Sequence, residues 1–348
     1  MTKKFDVVIG NPPYQEETEG GGRFATPIYH QFVDAAYQVG RQAVLITPAR
    51  FLFNAGQTPK HWNARMLADP HLTVPHYVPN SADLFPGTEI MGGVAVTRWD
   101  SSRKGEPIGV FSKYTELNEI REKVAERALE SITSLDFSSS RSYRYTERMH
   151  QEHPEVEALL PTSERYKLVT SAFTLPVFHE HPLQDGHEYV RFYGLVQAKR
   201  AFRWIRRDYI EGPESFSNYK IAVPASRNAG GMLGDKPAQV TGQSLLLEPG
   251  IGVTQTFLTI GSFATKTEGE ACLKYVQTRF ARVLLGILKV TQHNPRGTWK
   301  HVPNQDFSAS SDIDWSKPIS EIDQQLYAKY GLDAEEIAFI EEKVKPME

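Results

Sequence analysis

The sequence predicts an α/β layer at its start, then an α+β domain, then a short helical tail. Three observations carry that expectation. Apolar runs ended by Pro or Gly alternate with helical periodicity over roughly the first hundred residues, the pattern that builds strands and helices into one layer. After about Asp100 the apolar runs shorten, and Gly and Pro recur without that alternation. After a polar stretch at Ser308 to Asp312, the residues from Ile319 return to helical spacing.

Phe5 to Gly10 reads as a buried strand, because β-branched residues fill it and Pro12 and Pro13 forbid its continuation. Glu16 to Gly22 is polar and glycine-rich and reads as a mobile loop. Ile28, Phe32, Ala35, Ala36 and Val39 recur at helical spacing behind Thr26 and Pro27, which suit an N-cap and first helical position, and Gly40 suits a stop. Ala43 to Thr47 is a second buried strand, ended by Pro48. A helical pattern surrounds Trp62 to Leu67, and Leu72 to Val78 and Gly93 to Trp99 read as extended. This alternation points to a parallel sheet. Ser101 to Gly105 is a polar linker, and Thr115 to Leu135 reads as one charged helix. Helix candidates recur near Thr267 to Lys289. Over Ile319 to Lys345 two short amphipathic helices are broken at Gly331, with Asp333 as N-cap and Glu336 completing a capping box. The expected domains are 1–105, 106–305 and an acidic helical tail, 306–348.

Composition narrows the class. The chain has 348 residues, 40% of them hydrophobic and 23% charged, enough to bury a sizeable core. No apolar stretch approaches the roughly 18 residues of a membrane span, and the Met-Thr-Lys-Lys start lacks the apolar core of a signal peptide. A single cysteine, Cys272, forms no internal disulfide or cysteine-based zinc site, which fits a reducing cytoplasm. The formal charge of −3 hides an asymmetry. Residues 306–348 hold eleven acidic residues against four lysines, whereas the preceding 305 residues carry 35 basic and 31 acidic side chains. The body is mildly basic and the acidity lies in the tail.

Asn11-Pro12-Pro13-Tyr14 at the end of the first strand is the most specific motif, a match expected by chance about once in 10⁵ positions. The plain alternative is a diproline turn that ends a strand. A base flipped from a nucleic acid needs acceptors for its exocyclic amine and an aromatic face to stack on. The Asn11 side-chain oxygen and the Pro12 carbonyl supply two acceptors, and Pro12, without an amide hydrogen, invites no strand pairing. Tyr14 supplies the stacking surface, worth on the order of 1–3 kcal/mol. No strong base is needed, since alignment and stabilisation of a developing positive amine suffice.

Asn-Pro-Pro-Tyr behind Val-Val-Ile-Gly resembles the catalytic motif of adenine-specific amino DNA methyltransferases of type II restriction–modification systems. The stretches Pro27–Phe32, Leu45–Leu52, Leu84–Pro86 and Gly92–Thr97 resemble the segments that follow it there. Thr256–Phe263, Lys289–Gln292, Val302–Phe307 and Ile322–Tyr327 resemble the target-recognition region and tail of such enzymes. The resemblance implies a partial Rossmann-like methyltransferase sheet over 1–105, carrying the catalytic half, and a DNA target-recognition domain over 106–305. It implies methyl transfer from S-adenosylmethionine to the amine of a flipped adenine in double-stranded DNA, with Asn11, Pro12, Pro13 and Tyr14 as catalytic residues.

One departure is plain. In that family the S-adenosylmethionine-binding half usually precedes the catalytic motif, whereas ten residues precede Asn11 here. Glu248–Gly252 holds a Gly-x-Gly, but Thr254 to Ile260 reads as extended and not as a helix. The cofactor-binding residues are unassigned, and a partner chain is expected to bring that half or a nuclease. The alternative is a non-catalytic DNA-binding specificity subunit of a restriction or defence complex. An RNA or protein methyltransferase would share the motif, but the long second domain favours DNA. For phosphate contacts the candidates are Lys199, Arg200, Arg203, Arg206 and Arg207, a run interleaved with aromatics, together with Arg227. His179, His181 and His187 match no metal-ligand spacing, so no metal is expected.

Overall fold

The computed structural model describes residues 4–16, 26–105, 107–112, 114–138, 142–226, 231–234, 236–289 and 291–347. The loop expected from Glu16 lies, after that residue, outside the described residues, as do Arg227 and Asn228 to Gly230. Contacts divide the chain into two compact units, Met1–Thr115 and Glu116–Glu348. The whole is a mixed α/β fold with several sheets.

The first unit runs β1 (Phe5–Gly10), α1 (Tyr29–Val39), β2 (Gly40–Pro48), α2 (Lys60–Leu67), β3 (Leu72–Val78) and β4 (Val94–Asp100). The sheet order is β1-β2-β4-β3. Only β1 and β2 are parallel, joined across α1; β4 is antiparallel to both β2 and β3. The parallel sheet expected from the alternation is thus corrected for half its strands. A parallel return needs a crossover, usually a helix, and between Val78 and Val94 the chain forms only a short 3₁₀ turn, Ser81–Asp83.

Helix α1 starts later than its sequence suggests. Ile28 occupies the N-cap and no side chain caps it. Thr26 and Pro27 are held elsewhere: Gln15 bridges Pro27, the Glu16 N–H donates to Thr26 O at 2.9 Å, and the Ile28 N–H donates to Tyr14 O at 3.2 Å. Tyr29, Val33 and Ala36 of α1 and Trp62 and Met66 of α2 share one core with Ala43, Leu45, Leu72 and Ala95 of the sheet. Alternation along the strands puts Val7, Ile9, Val44, Ile46 and Val96 on the opposite face. There Val44, Ile46 and Val96 are half-buried. On β1, a sheet edge, Phe5, Val7 and Ile9 stand 56%, 47% and 79% exposed.

Helix α3 (Thr115–Arg127), which from Glu116 on belongs to the second unit, is shorter than the helix expected to Leu135. From Ser131 on the backbone bonds elsewhere: the Ile132 N–H donates to Val302 O at 2.8 Å, and the Ser131 hydroxyl accepts the Thr133 N–H. There follow β5 (Phe137–Ser138), β6 (Arg144–Tyr145), α4 (Glu147–Glu152), α5 (Glu155–Leu159), β7 (Tyr189–Val196), β8 (Lys199–Arg206) and β9 (Ile210–Glu211). Next come β10 (Tyr219–Pro224), β11 (Leu245–Leu247), β12 (Ile251–Val253), β13 (Phe257–Phe263), α6 (Lys266–Gln277), α7 (Arg279–Leu288), α8 (Ile319–Tyr330) and α9 (Ala334–Lys343). They form sheets ordered β11-β10-β13-β5, β12-β7-β8 and β6-β9.

Helix α7 is the hub of the C-terminal part, with Phe280, Ala281, Val283, Leu284 and Leu285 fully buried. The Asp323 carboxylate on α8 accepts the Arg279 and Phe280 N–H groups at 3.1 and 2.9 Å, capping α7 from a neighbouring helix. Residues expected as the acidic tail therefore pack inside this unit. Gly331 ends α8 in the left-handed region, and Asp333 and Glu336 form the capping box of α9.

Candidate functional site

The C-terminal ends of parallel strands β1 and β2 open onto a cleft of about 610 Å³. Asn11 to Gln15 follow β1 into it, Pro48 and Arg50 follow β2, and Pro27 and Tyr29 precede and open α1. Gln57, Thr58 and Thr88 to Met91 complete the lining. A crevice outside the carboxyl ends of parallel strands is where α/β sheets bind ligands, because diverging connections leave a gap there.

The motif sits there for local reasons. Its two prolines end β1, and the Ile28 N–H bond to Tyr14 O pins the far side of the turn. Asn11 and Pro13 are exposed, while Pro12 and Tyr14 are half-buried. The Tyr14 ring packs against the core of the first unit. Burial raises the Tyr14 pKa, and the adjacent Asn11 side chain acts against that rise. The structure thus gathers all four motif residues at one cleft, with an exposed amide beside a fixed aromatic ring.

Beneath them Tyr29 is buried, and its pKa is pushed up to about 12 by that burial, with a Thr58 hydrogen bond and the Arg50 charge acting against it. The Thr58 hydroxyl donates to Asn63 Oδ1 at 2.7 Å, which ties the Gln57–Thr58 wall to α2. No motif in the sequence marks Arg50 as a site residue. Its sequence signal is a charge gap: residues 35–68 contain no Asp or Glu, yet include Arg41, Arg50, Lys60 and Arg65.

Lys199, Arg200, Arg203 and Arg206 of the basic run lie on β8, hairpin partner of β7, and Arg207 opens the 3₁₀ turn that follows. Its residues have different surroundings. Lys199 and Arg200 are exposed at the hairpin tip, with Arg200 also 5.6 Å from the Phe257 ring. Arg203 pairs with Glu180 at 2.9 Å. Arg206, 9% exposed, pairs with Glu152 at 2.8 Å and Asp208 at 2.7 Å. Arg207 donates to Ile210 O at 2.7 Å. The tip residues Gln197 and Ala198 have φ of 48° and 62°, left-handed values usually given to Asn or Gly in such turns.

Glu248 to Gly250 join two strands, β11 and β12, with no helix after them, so the Gly-x-Gly there is a strand connection. Among the described residues no three His, Cys, Asp or Glu side chains gather as a metal site, and no helix is long and apolar enough to cross a membrane.

Comparison with known proteins agrees with the resemblance carried by the motif. Residues 1–85 match the family model described as Eco57I restriction-modification methylase. An uncharacterized adenine-specific methylase of Mycoplasma pneumoniae is 30% identical over 122 residues, which span 34% of this chain and 29% of that protein. The chain thus spans under a third of the curated relative it matches. A type IIL restriction-modification enzyme, MmeI, solved in complex with DNA, aligns over 96% of this chain and 56% of its own, with a TM-score of 0.37 and 11% identity.

Proposed function

We propose that this chain carries the base-accepting part of a restriction–modification DNA methyltransferase. The reaction is transfer of a methyl group from S-adenosylmethionine to the exocyclic amine of an adenine flipped out of double-stranded DNA. The carrying observation is Asn11-Pro12-Pro13-Tyr14 at the mouth of the cleft at the ends of β1 and β2. The methylase family match over residues 1–85 and the adenine-specific relative support the same reading.

In this reading the Asn11 Oδ1 and the Pro12 carbonyl accept the two amine hydrogens and hold the nitrogen lone pair toward the incoming methyl group. Pro13 keeps the turn rigid, and Tyr14 stacks on the base. The added positive charge on the amine is stabilised by two fixed acceptors placed where that charge develops. The exposed Lys199 and Arg200 of the hairpin tip meet DNA phosphates, and a two-stranded ribbon fits the major groove. Arg203, Arg206 and Arg207 hold that hairpin in shape, and Arg227 adds a further phosphate contact. The first unit forms half of a Rossmann-like methylase sheet, the second reads the target, and residues 306–348 form its acidic end. A partner chain brings the residues that hold S-adenosylmethionine.

Asn11→Ala abolishes methylation of DNA while leaving duplex binding largely intact; activity retained in that variant refutes the mechanism. Calorimetry with S-adenosylmethionine, for the chain alone and with the product of the adjacent gene, tests the partner. Binding only with the partner supports it, and binding by the chain alone removes the need for one. The alternative reading is a non-catalytic DNA-binding specificity subunit. Absence of binding in both mixtures would favour that reading instead.

A further inference from the structure

Arg50 is built into the cleft with unusual care for a surface cation. It stands in the 3₁₀ turn Ala49–Phe53 directly after β2. Its aliphatic stem runs between two glycines in left-handed conformations, Gly56 at φ +85° and Gly92 at φ +89°. A Cβ on Gly56 would lie 3.2 Å from Arg50 Cδ, and one on Gly92 would lie 2.8 Å from Arg50 Cγ. The Nε–H donates to Met91 O at 2.5 Å, which fixes the plane of the guanidinium.

Among the described residues the side chain has no counter-charge. Arg65 pairs with Asp34, Arg191 with Glu248, Arg203 with Glu180 and Arg206 with Glu152. No carboxylate among the described residues pairs with Arg50. Glu89 lines the same cleft but is exposed and makes no ion pair with it. Burial lowers the Arg50 pKa, a shift that an arriving anion would reverse. A half-buried, oriented guanidinium without a carboxylate presents its remaining N–H groups as a fork, whose geometry matches two oxygens of a phosphate.

We infer that Arg50 holds an oxygen pair of the phosphate attached to the extruded nucleotide, so that the cleft recognises a nucleotide and not a base alone. The inference rests on reading the cleft as base-accepting. Arg50 acts there as a binding residue, fixing the sugar–phosphate end while Asn11 and Tyr14 take the base. The carboxylate of a methyl donor offers similar oxygens, and the experiment separates the two sources.

The probes are 2′-deoxyadenosine, its 3′- and 5′-monophosphates, S-adenosylmethionine and 5′-methylthioadenosine, which lacks the carboxylate. Each is titrated into the full chain by ligand-observed NMR. At least one monophosphate binds about tenfold tighter than the nucleoside, as expected for a charge-assisted pair. Arg50→Gln removes that increment and leaves nucleoside affinity within about twofold, while Arg50→Lys retains part of it. Asn11→Ala weakens nucleoside and nucleotides together. Equal affinity of nucleoside and both monophosphates for the unmodified protein overturns the inference without any variant. So does an increment that survives Arg50→Gln in folded protein. If Arg50→Gln weakens S-adenosylmethionine, spares 5′-methylthioadenosine and leaves the monophosphate increment intact, the carboxylate is the ligand and the phosphate assignment falls. No binding of 2′-deoxyadenosine itself overturns instead the base-accepting reading beneath it.

Discussion

Lys220 allows a stability prediction to be worked from its surroundings. The side chain is fully buried on β10, where Nζ donates to Asn218 O at 3.0 Å and to Phe216 O at 3.3 Å. Burial pulls its pKa down to about 8 from 10.5, with Asp136 acting weakly the other way. Between those values the unfolded chain binds the proton and the folded chain does not, so stability rises with pH across that window. The slope approaches about 1.4 kcal/mol per pH unit, and the gain from pH 7.5 to 9.5 is about 2 kcal/mol. Lys220→Met removes the titrating group and, with it, this gain. The lost bonds to Phe216 and Asn218 offset stability by an amount independent of pH. Buried tyrosines such as Tyr143 and Tyr145, whose pKa values burial raises, pull stability down near pH 10 in both proteins. Their effect cancels in the difference. Urea unfolding of the full chain, followed by tryptophan fluorescence at half-unit steps from pH 7 to 9.5, reads the comparison. Parallel stability curves for the two proteins would refute the assignment of a reluctant charge to Lys220.

Other perturbations probe different parts of the fold. Ala198→Gly relieves a left-handed residue at the β7–β8 tip and raises stability by about 1 kcal/mol, seen as a higher melting temperature; an unchanged value removes the strain. His301 has its pKa lowered to about 4, chiefly by burial and next by Arg121, whereas Asp323 is raised to about 6, chiefly by burial. Stability therefore rises with pH from about 4 to 6.5 through His301 and falls from about 3.8 to 6 through Asp323. Relative to the unmodified chain, His301→Asn loses about 2–3 kcal/mol between pH 4 and 6, and urea midpoints that shift equally at both pH values contradict this. The exposed edge strand β1 predicts concentration-dependent self-association in sedimentation experiments, which Val7→Lys suppresses, since a charge blunts an open strand edge. Unaltered association places the contact elsewhere.

Much of the fold is readable because it is decided locally. Strand β1 follows from Val7, Val8 and Ile9 ahead of two prolines, and the Asp333–Glu336 box lies within a single helical turn. The cleft residues Asn11 to Tyr14 were readable for the same reason: four neighbours carry the whole motif. What escaped the sequence depends on distant segments. Thr26 and Pro27 look like a helix start, but a backbone bridge to Gln15 and Glu16 holds them extended. Strand order was equally hidden, since nothing in Val94 to Asp100 encodes its insertion between β2 and β3. The basic run showed charge but not pairing: Glu152, which meets Arg206, is fifty-four positions away. Arg50 was visible only as a cation in a stretch without acids, and its clamp between Gly56 and Gly92 exists only after folding.

The short backbone bridge between Tyr14–Glu16 and Thr26–Ile28 has a practical consequence for protein engineering. It forms a stem that fixes both ends of the intervening segment, so the length of that segment is uncoupled from the geometry of Asn11 to Tyr14. Doubling a closed loop adds only about 0.6 kcal/mol of entropy. A fluorescent reporter or affinity peptide spliced between Glu16 and Thr26 would thus leave the motif in place, turning the stem into an attachment point.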